Sequence, residues 1–164
     1  MKKLDTIHSK IMDPETLQRF LSILKFKGKK IVFTNGCFDI LHRGHIDYLS
    51  KAADHGNVLI IGLNTDGSVK RIKGKNRPVN DEYARAIVLA SLHFVDAVVM
   101  FDEDTPYNLI NAIKPDVLIK GSDYLIEDIV GADIVANNGG SIITLEYLPG
   151  YSTTKIIDKL KSGD

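Results

Sequence analysis

Apolar residues in this chain occur either as short unbroken runs or at every third or fourth position. The runs Ile31-Val32-Phe33-Thr34, Val58 to Leu63, Val95 to Phe101, Val117-Leu118-Ile119 and Ile142-Ile143-Thr144-Leu145 predict five buried strands, each too short for a buried helix. Asn35-Gly36 ends the first of them. Helical spacing fills the intervals. Asp13-Pro14 reads as an N-cap and first helical position, opening a helix to about Lys25 that Lys27-Gly28-Lys29-Lys30 stops. Ile46, Leu49 and Ala53 share one face and predict a helix from near Arg43 to His55. Asn80 is the expected cap of a helix carrying Ala84, Ile87, Val88 and Ser91. Thr105-Pro106 starts another that ends near Lys114-Pro115, and Ile129 to Asn138 forms one stopped by Gly139-Gly140. Ser152 caps the last. Residues 64–80 are polar and basic and read as a long loop.

Strands alternating with amphipathic helices predict a parallel sheet covered on both faces, a doubly wound α/β fold. At 164 residues the chain is the size of one domain, with residues 1–28 as a helical extension at its N-terminus. Lys plus Arg and Asp plus Glu both number 21, and that balance argues against a nucleic-acid binder. One cysteine, Cys37, rules out an internal disulfide framework or a multi-cysteine zinc site and fits a reducing cytoplasm. Polar residues rather than an apolar stretch follow Met1-Lys2-Lys3, so no signal peptide is expected, and no run is long enough to span a membrane.

The segment most informative about chemistry is Thr34-Asn35-Gly36-Cys37-Phe38-Asp39-Ile40-Leu41-His42-Arg43-Gly44-His45, which leaves the first strand and enters a helix. In open α/β sheets ligands sit beyond the strand C-termini, where a helix start offers free N–H groups and a positive dipole end to phosphate. His42 and His45, three apart, share a face of the first turn, and Gly44 removes a side chain where a phosphate could approach. Two imidazoles there can donate hydrogen bonds to oxygens gaining charge. Read alone, the segment also fits surface histidines that cap a helix, or a metal site of Asp39, His42 and His45, which no histidine or cysteine cluster supports. Cys37 has no general base of its own. It reads as a small strand-exit residue whose backbone N–H, with that of Phe38, faces an α-phosphate. His8, His55 and His93 stand outside any constellation.

His42-Arg43-Gly44-His45 matches the HxGH signature of the cytidylyltransferase-like nucleotidyltransferases. Further segments resemble the members that make ADP-heptose: Asn64-Thr65-Asp66, Ser68 to Gly74, Arg77-Pro78-Val79-Asn80, Glu103 to Pro106, Lys114-Pro115-Asp116, Lys120 to Tyr124 and Ser152 to Ile157. The resemblance spans roughly positions 29 to 160. It implies a Rossmann-like five-stranded sheet of order 3-2-1-4-5. It also implies transfer of AMP from ATP to a heptose 1-phosphate, with Mg²⁺ held mainly by substrate phosphates and no metal held by the protein.

By the same resemblance His42 and His45 are catalytic, and Cys37, Phe38, Asp39 and Gly44 line the nucleotide. Lys120, Gly121 and Asp123 lie beside base and ribose, and Ser152, Thr153 and Thr154 meet the triphosphate, a role compatible with the N-cap that a hydroxyl triplet otherwise suggests. Asn64, Asp66, Lys70, Lys73 and Arg77 are expected at phosphates or the second substrate. The basic stretch would be a mobile flap, with Lys75 merely solvated. Two departures stand out. Ser122 replaces a glycine frequent in the heptose enzymes. The arginine that glycerol-phosphate enzymes place before the hydroxyl triplet is absent from Leu148-Pro149-Gly150-Tyr151. A cytidylyltransferase acting on glycerol 3-phosphate or another alcohol phosphate, and a non-catalytic nucleotide-binding module, stay open as alternatives. The expected partners are ATP and a sugar 1-phosphate, not nucleic acid or membrane. A separate sugar kinase is expected upstream, since this chain is too short to include one. Self-association into a homo-oligomer stays open.

Overall fold

The computed structural model describes residues 2–162. Five parallel strands, β1 (Ile31–Gly36), β2 (Val58–Asn64), β3 (Ala97–Phe101), β4 (Val117–Gly121) and β5 (Ser141–Leu145), form one sheet in the order β3-β2-β1-β4-β5. β1 is central: Ile31 to Gly36 pair with Val58 to Leu63, while Val32 and Phe33 pair with Val117 and Leu118. Because successive side chains alternate between faces, the sheet builds two cores. Phe33, Ile60 and Leu118 pack with α2 (Pro14–Phe26), α6 (Tyr107–Ile113) and α7 (Ala132–Asn137). Val32, Leu59 and Ile61 pack with α3 (Arg43–Ala53) and α5 (Glu82–Ala90) on the other face. Each fully buried aliphatic or aromatic side chain contributes about 1.5–3 kcal/mol.

Several elements differ from the sequence expectation. Residues 2–28 hold two helices, because α1 (Lys3–His8) precedes α2 and buries no residue. Residues 10–12 then cover the outer edge of β3, with the Val98 N–H donating to Lys10 O and the Met12 N–H to Val98 O. α2 is a layer of the domain, burying Leu17, Leu21 and Leu24. The stretch expected as a loop carries α4 (Asp66–Lys73), capped by Thr65, whose hydroxyl accepts the Ser68 N–H at 3.2 Å. The cap of α5 is Asp81 rather than Asn80. Its buried face is Arg85, Ala86, Leu89 and Ala90, while Val88 is 46% exposed. α7 begins at Ala132, because Gly131 at φ 84° and a 3₁₀ turn over Ile126–Asp128 precede it. α8 (Thr153–Ser162) closes the chain.

The chain reverses its direction of travel across the sheet between β1 and β4. Their C-terminal ends therefore open a crevice, where ligands bind in open α/β sheets.

Candidate active site

β1 ends at Gly36, and the loop to α3 turns sharply, with Phe38 and Ile40 at φ 45° and 52°. Such left-handed conformations cost on the order of 1–3 kcal/mol at non-glycine residues and persist only where the surroundings impose them. Burial of the Phe38 ring imposes one: it meets His45 edge-on at 5.6 Å between centroids. The two histidines stack at 3.9 Å, 23° from parallel. His42 caps α3 by accepting the Gly44 N–H at Nδ1 (3.1 Å), and His45 Nδ1 accepts the His42 N–H (3.4 Å). Each Nδ1 is thus an acceptor, which assigns the proton of each neutral ring to Nε2. A side chain on Gly44 would lie 3.0 Å from the His42 ring and 3.1 Å from Tyr151 Cβ. Room for the first histidine and for Tyr151 therefore requires that glycine, whatever approaches from outside.

Two charged side chains fix this loop from behind. Asp39 is buried, and its carboxylate accepts the N–H groups of Val79 (2.9 Å) and Asn80 (3.1 Å). Arg77 Nε lies 3.2 Å from the same carboxylate without hydrogen-bond alignment, so that contact is ionic. Asp39 reaches the cavity wall, but its charge serves the protein's own backbone. Arg85 is only 2% exposed. Its guanidinium donates to the carbonyls of Cys37 (2.7 Å), Asn64 (2.8 Å) and Asn80 (3.1 Å) and to the Asp66 carboxylate (2.8 Å). Three backbone segments distant in sequence meet on one cation.

In front of the loop lies a cavity of about 620 Å³. β4 contributes Lys120, whose ammonium donates to Asn35 Oδ1 and lies 5.7 Å from the Tyr124 ring centre. Burial lowers its pKa to about 8, against a smaller opposing effect of Asp123. Gly121 leaves space for the Tyr147 ring, which a side chain there would strike, and Tyr147 packs 5.6 Å from Tyr48. Ser152 caps α8 by accepting the Lys155 N–H at 3.2 Å, and the Thr153 hydroxyl donates to Asp39 O at 2.8 Å. The start of α8 is thereby fastened to the loop that leads into α3. Ile72 and Lys73 of α4 and the segment with Asp104 and Thr105 also line the cavity. Arg71 ties those walls together through Asp104 at 2.8 Å and Asp102 at 3.4 Å.

A cytidylyltransferase-like family model matches residues 33–159, from β1 into α8. The chain belongs to that family. Among similar curated proteins is the bifunctional protein HldE of Campylobacter jejuni subsp. doylei, 56% identical over 144 residues, or 88% of this chain and 30% of that protein. HldE of Geobacter metallireducens is 52% identical over 152 residues, 93% of this chain and 31% of its own length. This chain thus spans about a third of the length of these relatives. A lipopolysaccharide core biosynthesis protein from Thermoplasma volcanium has a similar solved structure, with TM-score 0.59 and 28% identity over 74% of this chain and 98% of its own. The pantoate-beta-alanine ligase of Francisella tularensis, at TM-score 0.63 and 20% identity over 92% of this chain and 76% of its own, shares the fold.

The structure places most residues singled out in the sequence around this cytidylyltransferase-like cavity: His42, His45, Cys37, Phe38, Asp39, Gly44, Asn64, Lys73, Arg77, Lys120, Gly121, Asp123, and the triplet Ser152 to Thr154. Two are elsewhere. Asp66 turns to Arg85, and Lys70 is exposed on α4 away from the wall. Ser122 is also outside the wall, with its N–H bonded to Leu145 O. The expected flap is largely the helix α4, anchored by buried Ser68 and Val69 and by Arg71. Cys37 is free, and burial raises its thiol pKa, opposite to a nucleophile's need. Arg85, Tyr48, Tyr147 and Tyr151 are missed by the sequence reading. No spacing rule marks them; Tyr147 and Tyr151 on either side of Pro149-Gly150 are the one local signal that could have pointed to an aromatic wall. No helix among the described residues is long and apolar enough to cross a membrane.

Burial lowers the pKa of His42, and burial, aided by repulsion from His42 and Lys73, lowers that of His45 to about 4. Both rings are therefore neutral at pH 7. Between pH 6.5 and about 4 the unfolded chain binds a proton at His45 that the native state refuses, so stability falls as pH falls through that window. After allowance for solvent at the cavity mouth the loss is roughly 2–3 kcal/mol. Urea unfolding at pH 7 and pH 4.5 should show a smaller decline in His45→Gln than in the parent. Equal declines would mean that the ring is protonated in the folded state.

Proposed function

We propose that this domain transfers AMP from ATP to heptose 1-phosphate in the cytoplasm, giving ADP-heptose and pyrophosphate. The observation that carries the reading is the neutral histidine pair, with both Nδ1 atoms occupied by backbone N–H groups and both Nε2–H groups free to donate. Such a pair stabilises developing charge and does not remove a proton. A sugar phosphate suits it, because its nucleophilic oxygen is already ionised at neutral pH. That oxygen attacks the α-phosphorus, the bond from α-phosphorus to the bridging oxygen breaks, and the electron pair leaves on pyrophosphate. Lys73 at the cavity wall offsets the repulsion between two phosphorylated reactants, with a smaller share from Arg77, whose charge is already met by Asp39. Mg²⁺ arrives with the triphosphate. The Asp39 carboxylate at the cavity wall is already engaged by the N–H groups of Val79 and Asn80, which supports the reading that the ion would be held mainly by the phosphates.

Adenine is the proposed base, in keeping with the resemblance to ADP-heptose-forming members and with the HldE relatives. The base subsite combines Lys120, Asp123 and the rings of Tyr124 and Tyr147, and polar groups left unpaired by a wrong base penalise it. With heptose 1-phosphate as acceptor, kcat/KM for ATP should exceed that for CTP at least tenfold, roughly 1.4 kcal/mol. Pyrophosphate release is measured for both nucleotides against heptose 1-phosphate and glycerol 3-phosphate. Faster reaction of CTP with glycerol 3-phosphate overturns the substrates, and no release with any pair overturns the enzyme.

A further inference from the structure

We infer that Arg43, the residue between the two histidines, binds the outer phosphates of the nucleoside triphosphate and stabilises the departing pyrophosphate. The second half of that statement rests on the adenylyl-transfer reading; the first does not. Four of the five arginines in the described chain pair with a carboxylate: Arg19 with Glu15, Arg71 with Asp102 and Asp104, Arg77 with Asp39, and Arg85 with Asp66. Among the described residues Arg43 alone has none. It is held instead by an aromatic residue, with its guanidinium carbon 5.6 Å from the Tyr151 ring centre and Nη1 donating to the Tyr151 hydroxyl at 3.3 Å. A tyrosine fixes the direction of a guanidinium without neutralising it, leaving other N–H donors and the full charge for an anion.

The location supplies the anion's identity. Tyr151 lines the cavity, packs its Cβ against the space above Gly44, and immediately precedes the Ser152-Thr153-Thr154 start of α8. The Thr153 hydroxyl ties the start of α8 to the loop before α3 at Asp39 O, and Tyr151 lies against Gly44 in the first turn of α3. Two helix N-termini, each opening a helix of ten or more residues, thus meet beside an uncompensated guanidinium. The proposed base subsite, Lys120 to Tyr124, stands at the end of β4, whereas Tyr151 and Ser152 to Thr154 line the cavity from the start of α8, with Arg43 outside that lining and reaching its rim through Tyr151. A nucleotide with its α-phosphate at the histidines therefore extends its β- and γ-phosphates toward Arg43. The planar fork of arginine matches phosphate oxygens in a bidentate contact.

Equilibrium titration of the domain with Mg·ATP and with AMP, without acceptor, tests the inference, because only ATP carries the outer phosphates. Arg43→Ala should weaken Mg·ATP about tenfold to a hundredfold, the range for a charge-assisted contact, and change AMP affinity by less than about twofold. Arg43→Lys should recover part of the loss, and Tyr151→Phe, which keeps the ring but not the hydroxyl, should lose less than Arg43→Ala. Equal weakening of ATP and AMP would reduce Arg43 to a structural clasp and overturn the inference, as would unchanged ATP affinity. If CTP proves the better nucleotide, CTP against CMP gives the same comparison. Failure of adenylyl transfer to heptose 1-phosphate would sink the substrate reading and leave this titration decisive.

Discussion

Replacing His45 with alanine is expected to lower kcat about 10²–10³-fold, the usual cost of one preorganised donor to a transition-state oxyanion. KM should move much less, because the hydrogen bond strengthens only as charge develops at the α-phosphorus. His45 is the more consequential histidine. Its Nδ1 is taken by the His42 N–H, its ring is braced between Phe38 and His42, and it is the more strongly held in the neutral state. His45→Asn keeps an N–H donor on a shorter side chain and should recover a fraction of the rate. Steady-state pyrophosphate release, with the fold checked by circular dichroism, decides the matter. Near-normal turnover in folded His45→Ala protein would remove this side chain from the mechanism.

The second large effect is one of stability. Arg85→Met should destabilise the domain by about 3–5 kcal/mol, the range for deleting one partner of a buried charged network. Methionine fills similar volume, so the loss reports polar groups left without partners rather than a void. Those groups are the carbonyls of Cys37, Asn64 and Asn80 and the carboxylate of Asp66. Arg85→Lys keeps the charge but cannot reach all four, and should fall between. Urea midpoints at pH 7 measure both. A loss under about 1 kcal/mol in Arg85→Met would mean that water replaces the guanidinium and the three segments do not depend on it.

The unequal legibility of fold and site in the sequence has a physical origin. Strands such as Val58–Asn64 are buried at every position, and a continuous apolar run records that directly. α4 is different. It buries only Ser68 and Val69, and its remaining stability comes from the Thr65 cap and from Arg71 reaching Asp102 and Asp104 more than thirty residues away. No local pattern carries that pairing, so a polar helix reads as a loop. Arg85 lies between two alanines on an amphipathic helix and looks like a solvent-facing charge. Carbonyls from three other segments draw it inward. Asp39 is the converse: a carboxylate in a ligand-binding motif that is spent on the backbone of Val79 and Asn80. The histidine pair, by contrast, was legible because its placement is set within one local turn, by hydrogen bonds among residues 42–45.

α4 also divides its labour by face. Ser68 and Val69 sit in the protein interior, while Ile72 and Lys73 look into the cavity. On the proposed reading, exchanges at Ile72 alter the shape offered to an acceptor without loosening the sheet, whereas exchanges at Lys73 also change the charge felt by His45. If that reading holds, the choice of acceptor can be retuned on a single helical stripe while Lys120 to Tyr124 and Ser152 to Thr154, on other elements, keep their arrangement.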